Sequence, residues 1–172
     1  MKGFPMKDEV ELITIPGNWN FDYRYFAGET ASRFFAELKH SRRIMGTRCG
    51  KCRRLLVPAR TFCEACYVET VSWEPVGEEG TLEVFTIVSA AFPGMPPPPF
   101  VIGYVTLDGA DTSIANFIKG VDLSDIQAAG SSLLSRPRVR TVFRAEGEGR
   151  ITDFHFELLP VPARGSRGEP AR

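Results

Sequence analysis

All four cysteines of this 172-residue chain lie between positions 49 and 66, in the pattern Cys49-x2-Cys52-x10-Cys63-x2-Cys66. Two CxxC turns each present a pair of thiolates, and a hairpin between them brings the pairs together as a tetrahedral S4 set. Zinc or iron accepts that geometry, and structural zinc is typically closed by four protein ligands. Such a set leaves no cysteine as a nucleophile and no open position for a metal-bound water. A redox dithiol ordinarily comes as one CxxC near a βαβ unit, and the flanking residues do not read that way. The spacing therefore predicts one structural Zn2+ per chain on Cys49, Cys52, Cys63 and Cys66. A ribbon of about 25 residues has too little core to fold unaided, so the ion supplies folding free energy.

Charge around these turns is one-sided. Lys39 to Arg60 contains eight basic residues and no acidic one, although the chain as a whole balances 21 Lys and Arg against 21 Asp and Glu. Arg48, Lys51, Arg53 and Arg54 offset the negative charge of four thiolates on one Zn2+. Together with Arg42, Arg43 and Arg60 they also fit a phosphate-bearing small molecule or an acidic partner. A zinc ribbon beside an OB barrel can also bind single-stranded nucleic acid, holding phosphates on a basic face and stacking bases on aromatics. Here the aromatics fall mostly on inward strand faces, and zero net charge leaves no global field for nucleic acid or membrane.

No catalytic set emerges. His40 and His155 are the only histidines, one in a basic helix end and the other on the polar face of a strand. Asp108, Asp111, Asp122 and Asp125 flank turns and a short helix, where turn and capping carboxylates are the ordinary outcome. There is no phosphate-binding glycine loop and no dinucleotide fingerprint. The Pro96–Pro99 run with Phe92, Met95 and Phe100 makes a stiff apolar loop. It reads equally as a contact for a partner or acyl chain and as a rigid connector over a barrel end.

The elements that must position these residues follow in order. Residues 1–20 form an irregular lead, and 21–45 a helical segment with Phe34, Phe35 and Leu38 on one side. Tyr25 and Phe26 feed into that segment, and Ile44 and Met45 close it. Residues 46–75 hold the cysteines. Residues 76–160 are mostly strand: Leu82–Val88, Phe100–Leu107, Thr112–Ile118, Arg138–Arg144 and Ile151–Leu158 show period-two alternation. Asp153, His155 and Glu157 fall on the polar face of the last strand. A short helix fits within Val121–Leu134. Five strands with a segment inserted after the third suit a five-stranded OB-fold barrel, with an SH3-like barrel or small sandwich as competitors. Residues 161–172 read as a disordered tail. Hydrophobic residues make up 43%, including 13 Phe, enough for a core. No stretch approaches the roughly 20 apolar residues of a bilayer span, and clustered cysteines without a signal-peptide pattern point to the cytoplasm.

In this combination the sequence resembles the zinc-ribbon/OB-fold acyl-CoA-associated proteins known as domain of unknown function 35. Phe34-Phe35-Ala36-Glu37-Leu38 is similar to the end of that family's N-terminal helix, and Arg43 to Cys49 to its lead into the ribbon. CGKCRRLLVPARTFCEAC, Trp73 and GEEGTLEVFTIV at 77–88 continue the likeness, as does the apolar Pro-rich loop before Phe100. Arg53 stands where many members have glycine, which implies a strained or differently shaped first turn, and Glu64 where proline is common. The resemblance implies a mainly β chain: an N-terminal helical segment, a rubredoxin-like zinc ribbon and an OB-fold. It implies a non-catalytic accessory subunit in a hetero-oligomer with a thiolase, acyl-CoA synthase, aldolase or hydratase of lipid metabolism, sharing acyl-CoA with it. Arg48, Lys51, Arg53 and Arg54 would then lie near the CoA phosphates or the partner.

Overall fold

The computed structural model describes residues 24–90 and 93–160. The expected lead at 1–20, the start of the helical segment, Phe92 and the tail at 161–172 lie outside the described residues.

Helix α1 spans Glu29–Ser41, shorter than the helical segment read from the sequence. Glu29 in its first turn and Lys39 and His40 in its last complement the helix dipole. Phe34 and Leu38, one turn apart, are buried. Tyr25 and Phe26 precede the helix and are 79% and 89% exposed. Arg42 ends it in the left-handed region at φ 50°, and its guanidinium donates to Ala145 O. Ile44 and Met45 therefore do not close the helix. They are buried in the main core, and Met45 opens strand β1.

Strands β1 (Met45–Cys49), β2 (Leu55–Leu56), β3 (Phe62–Cys63) and β4 (Val68–Pro75) form an antiparallel sheet in the order β2-β1-β4-β3. Five further strands, β5 (Glu79–Val88), β6 (Phe100–Leu107), β7 (Ile114–Lys119), β8 (Arg138–Phe143) and β9 (Phe154–Leu158), close a barrel in the order β5-β6-β7-β9-β8. Its closure is thin. The parallel β7–β9 ladder pairs only Ile118 with Phe156 and Lys119 with Glu157, and β5–β8 pairs at Glu79, Gly80 and Thr81. Helix α2 (Ile126–Leu134) lies between β7 and β8 in sequence, with Ala129 and Leu133 buried.

Strand β5 breaks its own alternation. A bulge between Leu82 and Val84 shifts the register against β6, so the inward face passes from Leu82 to Phe85 and Ile87, which pack on the core. Val84, expected on the same face as Leu82, is 61% exposed. An extra residue in one strand reverses which side chains face inward beyond it. Gly103 on β6 is required where the barrel interior is tightest: a Cβ there would meet Leu82 Cδ1 at 2.4 Å.

One continuous core joins α1, β1, Val57 and the barrel, with Leu82, Val105, Val139, Phe154 and Phe156 at its centre. A second, much smaller cluster contains Cys49, Leu56 and Cys63, flanked by Cys66 and Val68. The Asp108–Ser113 region clips β2 to the barrel. Leu55 N donates to Asp111 Oδ2 at 2.8 Å and Asp111 N to Leu55 O at 2.9 Å. Val57 N donates to Thr112 Oγ1 at 2.7 Å, and that hydroxyl donates to Val57 O at 2.8 Å.

Candidate metal centre

The S4 set assembles on the ends of short strands. Cys49 ends β1, Cys63 ends β3, and Cys52 and Cys66 follow in the turns. The four Sγ atoms all lie within 4.8 Å of one another, and Cys52 and Cys63 are 3.7 Å apart. Four sulfurs at about 2.3 Å from one Zn2+ in a tetrahedron stand about 3.8 Å apart, so the spacing fits the ion. No disulfide links the cysteines.

The thiols also need a cation for electrostatic reasons. The N–H groups of Lys51 and Cys52 point at Cys49 Sγ, each at 3.4 Å. The Cys52 N–H is the largest cause holding the Cys49 thiol down at about 6. Cys66 is pushed up to about 12, first by its contact with Cys52 and then by burial. Adjacent thiolates repel, so the set ionises fully only around a positive ion.

The two turns share a backbone solution. The residue after each second cysteine is left-handed, Arg53 at φ 65° and Tyr67 at φ 54°. Arg53 thus adopts the conformation that glycine reaches without steric cost. Glu64, inside the second CxxC, accepts from Arg54 at 3.2 Å and Arg60 at 3.1 Å. Thr47, 1% exposed, donates to Arg60 O and accepts from Arg60 N, both at 2.8 Å. Arg60 is thereby fixed ahead of Cys63. Neither Glu64 nor Thr47 carried a sequence signal for this role, because each acts on a residue at least four positions away.

Much of the basic cluster is neutralised by the chain itself. Arg48 makes a bidentate pair with Glu74, Nε to Oε1 at 2.6 Å and Nη2 to Oε2 at 2.5 Å. That guanidinium is the main cause of a Glu74 carboxyl held at about 2. Lys51 and Arg53 are exposed and have no ion pair among the described residues.

The carboxylates expected at turns take structural roles. Asp108 pairs with Arg138, Asp111 holds Leu55 N, and Asp122 accepts from Ser124 N at 3.0 Å. Asp125 caps α2 through Gln127 N and Ala128 N. Asp153 departs from expectation. Rather than lying on the polar face, it ends a 3-10 turn at Ile151–Asp153, is 2% exposed, and accepts from Gly149 N and Arg150 N at 2.6 and 3.1 Å. His155 is half-buried beside Glu157, 3.4 Å away. Pro96, Pro99 and Phe100 of the stiff loop border a cleft of about 600 Å³ at the barrel end.

Comparison with known proteins agrees with this arrangement. Residues 37–72 match the model described as "ChsH2, rubredoxin-like zinc ribbon domain", and residues 73–130 that described as "ChsH2, C-terminal OB-fold domain". The chain belongs to the zinc-ribbon/OB-fold family called domain of unknown function 35. A Sulfolobus solfataricus protein of unknown function from that family superposes with a TM-score of 0.56 at 20% identity, over 77% of this chain and 87% of the other. A structure titled "Ltp2-ChsH2(DUF35) aldolase" matches with a TM-score of 0.55 at 16% identity, over 78% of this chain and 98% of the other. At these identities the likeness is one of fold. No curated protein matches the sequence. Family and geometry together fit an accessory metal-binding module rather than a catalytic domain. Among the described residues no helix is long and apolar enough to cross a membrane.

Proposed function

We propose that this protein is a non-catalytic, zinc-binding accessory subunit of a thiolase-type or related acyl-CoA enzyme in lipid metabolism, assembling with it in the cytoplasm. Family membership is the observation that carries the reading, and the similar fold of the Ltp2-ChsH2(DUF35) aldolase supports it. The S4 set is closed, so the ion on Cys49, Cys52, Cys63 and Cys66 shapes the ribbon and takes no part in bond making. We read residues 46–75 as the ribbon and 76–160 as an OB-fold. The strand order β5-β6-β7-β9-β8 and the parallel contact of its third and fifth strands support that reading.

The subunit contributes positioning and channel walls to the partner's CoA site. Arg48, Lys51, Arg53 and Arg54 surround the first knuckle and face CoA phosphates or partner carboxylates. Lys51 and Arg53 carry the charge that the chain leaves available, since Arg48 and Arg54 are engaged by Glu74 and Glu64. A tagged pull-down from the source cells at mild salt, followed by mass spectrometry, tests the proposal. Recovery of a thiolase, synthase, aldolase or hydratase in near-equal amount is expected. Recovery of nucleic acid alone, with binding that weakens steeply with salt, would replace the proposal with a single-stranded nucleic-acid-binding role.

A further inference from the structure

The cleft at the barrel end has a composition that the metal centre and its basic flank do not explain. Its floor is the buried core itself: Val101, Ile118 and Phe154 are 1%, 4% and 1% exposed. Phe100 and Phe117 form one wall, their ring centroids 5.6 Å apart. Pro96 and Pro99 of the stiff segment also line it. A volume of about 600 Å³ lies within the range of small-molecule sites, which are mostly apolar with a few placed polar groups.

The fixed charges among those polar groups, on Lys119 and Arg144, have one sign. Lys119, Arg144, Thr152 and His155 line the cleft, and among the described residues no carboxylate does. Lys119 has no ion pair among the described residues. Arg144 reaches Glu148 only at 3.7 Å, with both side chains 50% exposed, a pairing that solvent screens heavily. His155 lies beside Glu157, which stands outside the lining. Arg144 also sits close enough to Asp153 to help hold that buried carboxyl down.

We propose that this cleft binds an amphipathic anion, with a hydrocarbon body on the Phe100–Phe117 wall and one carboxylate or phosphate head at Lys119 and Arg144. An apolar floor continuous with the core rewards hydrocarbon burial, and a rim where Lys119 has no ion pair among the described residues and Arg144 is held only loosely by Glu148 selects a negative head. A polar metabolite lacks the first complement, and an alkyl cation meets the wrong sign for the second. The inference rests on the cleft alone and not on the accessory-subunit reading, so either can fail without the other.

The test uses the full zinc-loaded chain, titrated below micelle formation with octanoate, decanoate, dodecanoate, decyl phosphate, decanol and decylammonium. Binding is followed by calorimetry and by the side-chain NMR signals of Phe117 and Ile118. Affinity is expected to rise about fourfold per added methylene. Decanoate and decyl phosphate should exceed decylammonium, and whichever anion binds more tightly identifies the preferred head. Lys119→Gln should weaken the anions about threefold while leaving decanol unchanged. Val121→Trp, or Leu123→Trp should the first fail to fold, should block all of them while the barrel amide spectrum is retained. Absence of saturable shifts at Phe117 and Ile118 with every probe at millimolar concentration would overturn the proposal. So would equal binding of decanoate and decylammonium.

Discussion

Stripping the metal should open the ribbon and leave the barrel closed. The stretch between the outer ligands, residues 50–65, has little apolar material of its own. Its cluster contains Leu56 as the one fully buried residue that is not a cysteine. Leu55 beside it is buried too, and burying two leucines contributes about 3–6 kcal/mol. Fixing the backbone of that stretch at about 1 kcal/mol per residue costs on the order of 15 kcal/mol. Structural zinc contributes about 10–16 kcal/mol in ribbons of this kind, which closes the difference to within a few kcal/mol. Val57 and Met45 belong to the main core, so the opening should stop at β1 and at the hydrogen bonds from Thr112. Hydrogen exchange reads this directly. In the loaded protein the amides of Arg53, Tyr67 and Cys49, bonded to Cys49 O, Cys63 O and Arg54 O, should be protected. After chelation they should lose at least about three decades of protection, falling towards free exchange. The amide of Thr141, bonded to Glu78 O, should keep its rate. Unchanged ribbon amides after complete removal would refute the reasoning, as would simultaneous loss at Thr141.

Arg53→Gly should stabilise the loaded protein by about 0.5 kcal/mol. A left-handed non-glycine residue costs about 1–2 kcal/mol, and glycine returns about 0.5–1 kcal/mol of that in unfolded-state entropy. A thermal melt checks this, and Arg53→Ala should show no gain. The Glu74 carboxyl should titrate near pH 2 by NMR and move towards its ordinary value in Arg48→Gln. Because its folded pKa is depressed, its contribution is complete above the ordinary value near 4.5 and is lost as pH falls towards about 2. Glu74→Gln should therefore flatten the acid limb of stability over that window, and an unchanged slope would count against the pairing. On β5, Val84→Ser should change denaturant stability by less than about 0.5 kcal/mol, whereas Phe85→Ala should cost on the order of 2 kcal/mol or more. The reverse ranking would contradict the bulge.

What the sequence revealed was local. The cysteine spacing, the strand at Phe100–Leu107 and the Asp125 cap depend on residues within a turn or a strand of each other, so periodicity and spacing expose them. What stayed hidden depends on partners far along the chain. Glu74 reaches Arg48 across the β1–β4 ladder, and nothing in either segment announces the other. Arg42 ends α1 left-handed without the glycine that marks such a stop, compensated by its bond to Ala145 O. The bulge at β5 carries no glycine or proline, so strict alternation put Val84 on the same face as Leu82. Asp153 looked like an ordinary polar-face residue because the chain that buries it, around Gly147–Arg150, returns from outside the strand. The cleft combines Lys119, Arg144 and His155 from three separate elements, a convergence that exists only after the barrel closes.

The joint between ribbon and barrel sets what the metal can do. In a finger on a flexible linker, metal loss changes only the finger. Here β1 begins with Met45 in the barrel core and ends with Cys49 at the metal site. β4 pairs with β1 from Met45–Pro75 to Cys49–Thr70. Arg33 stacks over Trp73 at 4.3 Å, and Thr30 meets Thr61 at 2.9 Å, so α1 braces the same sheet from outside. The knuckle bearing Lys51 and Arg53 is thus held in fixed register with the barrel rather than swinging on it. A surface that must present two cations to a partner or to a phosphate at a set place gains from this rigidity, because ordering is completed on folding instead of on binding. Under the proposed function the ion's contribution is then geometric: without it Lys51 and Arg53 remain in the chain, but no longer at one defined position.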